Sequence, residues 1–227
     1  MKVYSFGKEN APVILLLPGT CCHWKGNFGH VIPLLSDEYR VLCVSYDGFD
    51  ETERTEFPTM LEETAKIESC IKANCGGHIR AAYGCSLGGA CLTRLLALGE
   101  LPVKRAIIDG GITPYQLPYL IRKLLLARDV LSFKLAANNR KILEAAFPPE
   151  RFTLPGRDHK KEYDAIEAYL KTYSDQTIRN IFWSGNNYVL PKTPAKIGTK
   201  ITYWYGDEEK KDRRSNIRFI KHYFPQA

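Results

Sequence analysis

His78-Ile79-Arg80-Ala81-Ala82-Tyr83 runs directly into Gly84-Cys85-Ser86-Leu87-Gly88-Gly89, and a leucine-rich stretch continues to Leu98. His78 to Tyr83 reads as a strand. Leu87 to Leu98 reads as a helix with Leu92, Leu95 and Leu96 on its apolar side. Between them, Gly-x-Ser-x-Gly marks a sharp strand-to-helix turn, where glycines admit backbone that a Cβ would exclude. A serine held there projects at the carboxyl edge of a sheet. The helix N-terminus beneath it favours developing negative charge. The plain alternative is an ordinary turn with a capping serine.

Outward from this turn the same alternation repeats. Val3 to Phe6 is a short strand, and a turn at Gly7 to Asn10 leads into Pro12 to Leu17, a continuous apolar run suited to a strand covered on both faces. A helix is predicted over Asn27 to Leu35, a strand over Tyr39 to Tyr46, and a loop over the acidic Asp50 to Glu56. Thr59 to Ala73 reads as a helix with Thr59 as N-cap and Glu62 and Glu63 in its first turn. Val103 to Ile108 is the next strand. Strands alternating with helices predict an α/β domain with a mostly parallel sheet flanked by helices.

From Thr113 the pattern turns helical. Thr113 is placed as a cap and Pro114 in the first turn, with Leu117, Leu120, Ile121, Leu124 and Leu125 at helical spacing. Further helices are predicted at about 137–147, 158–173 and 175–183, and a loop at 184–200. Strand character returns over Lys200 to Tyr205, and a last helix runs from about Asp212 to Tyr223. The expected organisation is a core of 1–112 and 200–227 with residues 113–199 inserted as a helical cap.

Composition narrows the function classes. The 227 residues include 32 Lys and Arg against 25 Asp and Glu, a net charge of +7. Residues 113–200 hold 15 basic and 8 acidic side chains, so the whole excess belongs to that segment. Its basic runs are no longer than two, which argues against nucleic acid and for a solvated basic face. The longest aliphatic run, Val13 to Leu17, is far short of a membrane span, and the first residues lack an apolar signal stretch. A soluble, cytoplasmic protein is expected. Seven cysteines, at 21, 22, 43, 70, 75, 85 and 91, form no C-x-x-C pair and have no histidines at zinc spacing. They read as free thiols, with no metal and no organic cofactor.

Four segments together resemble the α/β-hydrolase fold superfamily: Leu15-Leu16-Leu17-Pro18-Gly19-Thr20, the turn at 84–89, the helical insertion after Asp109-Gly110-Gly111, and Tyr203-Trp204-Tyr205-Gly206-Asp207-Glu208-Glu209. The resemblance covers nearly the whole chain. It implies a serine hydrolase acting on a small ester or similar acyl substrate, with Ser86 as nucleophile. The oxyanion hole would come from the backbone N–H groups of Thr20 and Leu87, with Cys21 as the alternative to Thr20. Glu209 is the expected acid, Asp207 its alternative and Asp109 a third. The family's histidine follows one more strand, and this sequence ends at Ala227 before one could form, so the last strand is expected to be missing. His222 is the remaining candidate for the base, while His23 could line the pocket. Either the chain is a truncated hydrolase or it has lost catalysis and kept the pocket as a binding protein. Tyr115, Tyr119 and Trp183 of the cap would shape that pocket or pack the cap onto the core. The edge of the 200–205 strand, left without a neighbour, is where a homodimer would form.

Overall fold

In the computed structural model, which describes residues 1–152, 156, 158–185 and 187–227, six strands build one mixed sheet in the order β1-β3-β2-β4-β5-β6. β2 (Val13–Leu17), β3 (Arg40–Ser45), β4 (Ile79–Cys85), β5 (Val103–Asp109) and β6 (Lys200–Trp204) are parallel, and β1 (Lys2–Phe6) lies antiparallel on β3. All five residues of β2 are buried, because helices cover both faces of the sheet at its centre. The mostly parallel α/β architecture expected from the alternation is therefore present. β6 has β5 on one side only, and Trp204 is 49% exposed at this edge.

Two apolar layers hold the sheet. On one face, α3 (Met60–Cys75) and α4 (Leu87–Leu98) bury Ile67, Ile71, Leu92, Leu95 and Leu96 against Leu15, Leu42 and Ala106. On the other, α1 (Trp24–Phe28) and α2 (Ile32–Ser36) place Trp24, Phe28 and Ile32 over Ile14, Leu16 and Cys43. The Thr59 hydroxyl accepts from the Glu62 N–H at 3.2 Å, as its place before the helix predicts. The single helix expected over 27–35 is instead two. Pro33 has no N–H to continue α1 and sits in the first turn of α2, where none is needed.

Between β5 and β6 come α5 (Tyr119–Asn138), α6 (Arg140–Ala146), α7 (Pro149–Phe152), α8 (His159–Leu170) and α9 (Asp175–Gly185). The expectation that Thr113 caps a helix with Pro114 in its first turn is not met. Residues 113–118 are irregular and α5 starts only at Tyr119. The Thr113 hydroxyl is buried and accepts from Asn216 Nδ2 at 2.9 Å. Pro118 also disfavours helical backbone at Leu117 before it, and Gln116 has φ +49°. Of the loop expected over 184–200, residue 186 lies outside the described residues; 188–191 and 194–199 carry no regular structure. α10 (Arg214–Tyr223) closes the chain, its Ile220 joining the first apolar layer together with Phe224 just beyond it.

Candidate active site

Ser86 stands between β4 and α4 with φ +49° and ψ −107°. A non-glycine residue there carries strain of about 1–3 kcal/mol, and the surroundings must enforce it. They do so through close backbone contacts. A Cβ on Gly84 would come within 2.3 Å of the Gly88 carbonyl oxygen, and one on Gly88 within 2.1 Å of the Leu17 oxygen. A Cβ on Gly89 would lie 2.6 Å from Gly111 Cα. The first turn of α4 is thus pressed onto the ends of β2 and β5. Two backbone bonds fix the serine itself: its N–H donates to the Asp109 carbonyl at 2.8 Å, and its own carbonyl accepts from Ala90 at 3.0 Å.

The loop after β2 lies against this turn. Gly19 N–H donates to Asn27 Oδ1 at 3.0 Å, Cys22 N–H to the Gly19 carbonyl at 3.2 Å, and the Tyr46 hydroxyl to the Pro18 carbonyl at 3.2 Å. These bonds hold the backbone through Thr20 and Cys21, the latter at φ +51°. The N–H groups of Thr20, Cys21 and Leu87 make no hydrogen bond with the described residues. Leu87 opens α4, where free donors are expected. Cys22 and Cys85 put their sulfurs 3.4 and 3.6 Å from the point a Gly19 Cβ would occupy. Burial pushes the Cys22 thiol up to about 11 and Cys85 up to about 12, so both stay protonated at neutral pH and neither competes as a nucleophile.

The candidate carboxylates lie at two strand ends. Asp109 ends β5 directly beside Cys85 in the register, and its carboxylate accepts from the Tyr83 hydroxyl at 2.5 Å. Burial and this carboxylate together raise the Tyr83 phenol, keeping it a donor. Glu209 lies a strand further out, in the short 3-10 turn after β6. Its carboxylate accepts from Gly206 N–H at 3.3 Å and pairs with Arg213 at 3.2 Å, while 49% of the side chain is exposed. Asp207 is exposed at the start of the same turn. The sequence places Asp109 third among the acids because a residue that ends a strand carries no spacing signal; the β4–β5 register sets it beside Cys85, with its backbone carbonyl on the Ser86 N–H.

All five histidines lie among the described residues. His222 is exposed in the last turn of α10, and no hydrogen bond or ion pair joins it to Ser86, Asp109 or Glu209. His30, His78 and His159 are exposed, His78 just before β4, at the opposite end of the strand from Ser86. His23 caps α1 through Nδ1, which accepts from Lys25 N–H at 3.2 Å, and its ring meets Tyr169 at 4.8 Å. Burial lowers its pKa against the opposing pull of Glu51, so the ring is neutral at pH 7. A guanidinium also stands at this end of β5: Arg213 Nη2 lies 3.3 Å from where a Gly110 Cβ would be, one residue past the carbonyl that anchors Ser86.

From the segment after β5, Gly185 approaches Leu87, while Tyr169 donates to the Phe49 carbonyl at 2.8 Å and accepts from Tyr173 at 2.6 Å. Of the expected cap aromatics, Trp183 packs edge-on with Tyr119 and under the Arg122 guanidinium, and Tyr115 is 44% exposed. A hollow of about 570 Å³ lined by His78, Arg80, Leu101 and Lys104 opens at the opposite ends of the strands and has no part in this chemistry. No group of three or more metal-binding side chains occurs among the described residues.

A mostly parallel sheet with a strained serine on a glycine-walled strand-to-helix turn, packed against the loop after a neighbouring strand, defines an α/β-hydrolase fold. The sequence profile of the alpha/beta hydrolase family matches residues 14–216, and the chain belongs to that family, whose members are mostly hydrolytic enzymes. Among curated proteins no sequence match is found. Solved structures resemble it at low identity. An alpha/beta hydrolase family protein from Desulfitobacterium hafniense has a TM-score of 0.75 and 17% identity, over 96% of this chain and 85% of that one. A carboxylesterase structure from Nitrososphaera gargenis has a TM-score of 0.69 and 14% identity, over 99% and 82%. The enol-lactonase from Burkholderia xenovorans LB400 has a TM-score of 0.60 and 14% identity, over 95% and 92%. At such identities the likeness is one of fold.

Proposed function

We propose that this chain is a serine hydrolase acting on a small ester or similar acyl substrate through Ser86. The observation that carries the reading is the backbone of Ser86, a strained non-glycine residue whose neighbours leave no room for relaxation. In the proposed reaction Ser86 Oγ attacks the acyl carbon and its proton passes to a base. The carbonyl oxygen, now negative, is held by the N–H groups of Thr20 and Leu87, with Cys21 beside them. The C–O bond to the leaving group then breaks, and water releases the acyl group from the serine. Glu209, or Asp109 next to the turn, is the carboxylate that would stabilise the protonated base. No cofactor enters this scheme.

The base limits the rate. No imidazole is hydrogen-bonded to a site carboxylate, and His222 would have to leave the surface of α10 to serve. A serine without its base keeps only the contribution of the oxyanion hole and binding. Slow acylation is therefore expected, faster than in solution but far below a complete triad. A second reading, a small-molecule-binding protein on the hydrolase scaffold, is favoured by Arg213, since a guanidinium beside the turn cannot accept a proton.

A fluorophosphonate probe separates the two. The expected result is slow covalent labelling that disappears in Ser86→Ala, together with measurable turnover of a graded ester series. No labelling of the wild-type chain over long incubation would leave the binding reading in its place.

A further inference from the structure

α5 shows two apolar faces where a surface helix needs one. Val130, Ala136 and Ala137 are buried inward. On the opposite side Leu120, Leu124, Leu131 and Leu135 are 72%, 71%, 59% and 46% exposed. Steps of four, seven and four residues put them in one line along the helix, with exposed Ala127 between them. At 1.5 Å per residue the line is about 22 Å long. Tyr119 and Ile121, 57% and 45% exposed, broaden its first turn. Single exposed leucines are common on protein surfaces, but a continuous line of four marks a surface that something covers.

Charge decides what covers it. Lys123 flanks the line on one side, its ammonium 4.7 Å from the centre of the Tyr119 ring, and Arg128 flanks it on the other, 65% exposed. Asp129, the one acidic residue of α5, turns inward and pairs with Arg128 at 2.6 Å. A second copy laid along the same line would bring these cations against their own kind, which destabilises a helix pair. A bilayer with anionic headgroups offers the opposite charge at the surface and hydrocarbon just beneath it. The segment 113–200, with 15 basic and 8 acidic residues, adds to the attraction. No helix among the described residues is long and apolar enough to cross a membrane, so α5 would lie along the surface.

We propose that α5 docks this protein on anionic lipid surfaces. Leu120, Leu124, Leu131 and Leu135 enter the acyl boundary, and Lys123 and Arg128 reach up to the headgroups.

Co-sedimentation of the full chain with phosphatidylcholine vesicles, with and without phosphatidylglycerol, tests this. Binding is expected to the anionic vesicles, weakly or not at all to the neutral ones, and to fall as salt is raised. Leu120→Gln with Leu124→Gln should lower the partition coefficient about 10- to 100-fold with unchanged melting, because both positions are exposed. Lys123→Gln or Arg128→Gln should each lower it about fivefold. Leu124→Trp reports insertion without removing apolar surface, and the fluorescence it adds to wild type should shift to the blue on anionic vesicles alone. The proposal is overturned by the absence of binding at low salt, by glutamine variants that bind like wild type, or by a Leu124→Trp emission that vesicles leave unchanged. A dimer in solution that the two glutamines dissolve would overturn it too, by assigning the leucine line to a second copy.

Discussion

Gly88 shows at the scale of one residue how the site is built. Its missing Cβ would stand 2.1 Å from the Leu17 carbonyl oxygen and 2.7 Å from that of Pro18, both of them backbone. Gly88→Ala must therefore push α4 away from β2, and a loss of about 2–4 kcal/mol in denaturant unfolding is expected. The same change should abolish probe labelling in whatever protein remains folded. The acid can be assigned by comparing two variants. Asp109 holds the Ser86 N–H through its backbone carbonyl and bonds Tyr83 through its carboxylate, while Glu209 is engaged with Gly206 and Arg213. Asp109→Asn should slow labelling by Ser86 about tenfold or more, and Glu209→Gln should slow it less. The reverse order in a labelling time course would return the role to Glu209. Ser86 and its glycines were legible in the sequence because the turn requires those residue types at fixed spacing. Asp109 stood only third among the acids there, because adjacency across strands leaves no mark along the chain.

Between elements, the contact of the turn after β3 with α3 carries the clearest pH dependence. Glu63 of α3 is fully buried beside Asp47 and pairs with Lys66 at 3.1 Å. Burial first, and then the Asp47 charge, push its carboxyl up to about 7 against the pull of Lys66. An unfolded glutamate ionises near about 4.3. Between these values the folded state holds a proton that the unfolded state has released, so stability falls as pH rises through this window and levels off above it. Glu63→Gln should remove that slope, gaining about 1–3 kcal/mol over wild type at pH 8 relative to pH 4.5, read from melts across the range. Asp47 behaves oppositely. Burial alone would raise it, but Lys66 and the N-terminal ammonium outweigh burial and hold it at about 2. Its contribution is present above about pH 4 and is lost as pH falls toward 2. Helices were legible where apolar period and cap coincide, as in α3 with Thr59. They were not legible at 113–118, where a threonine and a proline imitate a helix start and a distant asparagine claims the hydroxyl.

Across the whole molecule, the apolar layer beneath α4 does not stop at the sheet. It continues without a break from Leu15 and Leu42 through Phe57 and Leu87 to Ile178, Tyr163 and Leu143 of the helices after β5. Polar bonds cross the same boundary: Thr177 Oγ1 accepts from Phe57 N–H at 3.0 Å, and Asn180 Nδ2 donates to the Phe57 carbonyl at 2.8 Å. One cooperative unfolding transition is expected, with near- and far-ultraviolet circular dichroism coincident. Two separated transitions would show that residues 113–199 unfold on their own. By itself the sequence determined the alternation of strands and helices, the serine turn and the placing of the positive charge after β5, because apolar period, turn glycines and charge are local properties of the chain. Only the tertiary structure decided that Asp109 sits beside Cys85 across the β4–β5 register, that the Arg213 guanidinium lies against Gly110 while no imidazole is hydrogen-bonded to Asp109 or Glu209, and that four leucines of α5 face outward. Each of these depends on which residues distant in sequence share an edge or a face, and strand order and helix rotation settle that only once the whole core has packed.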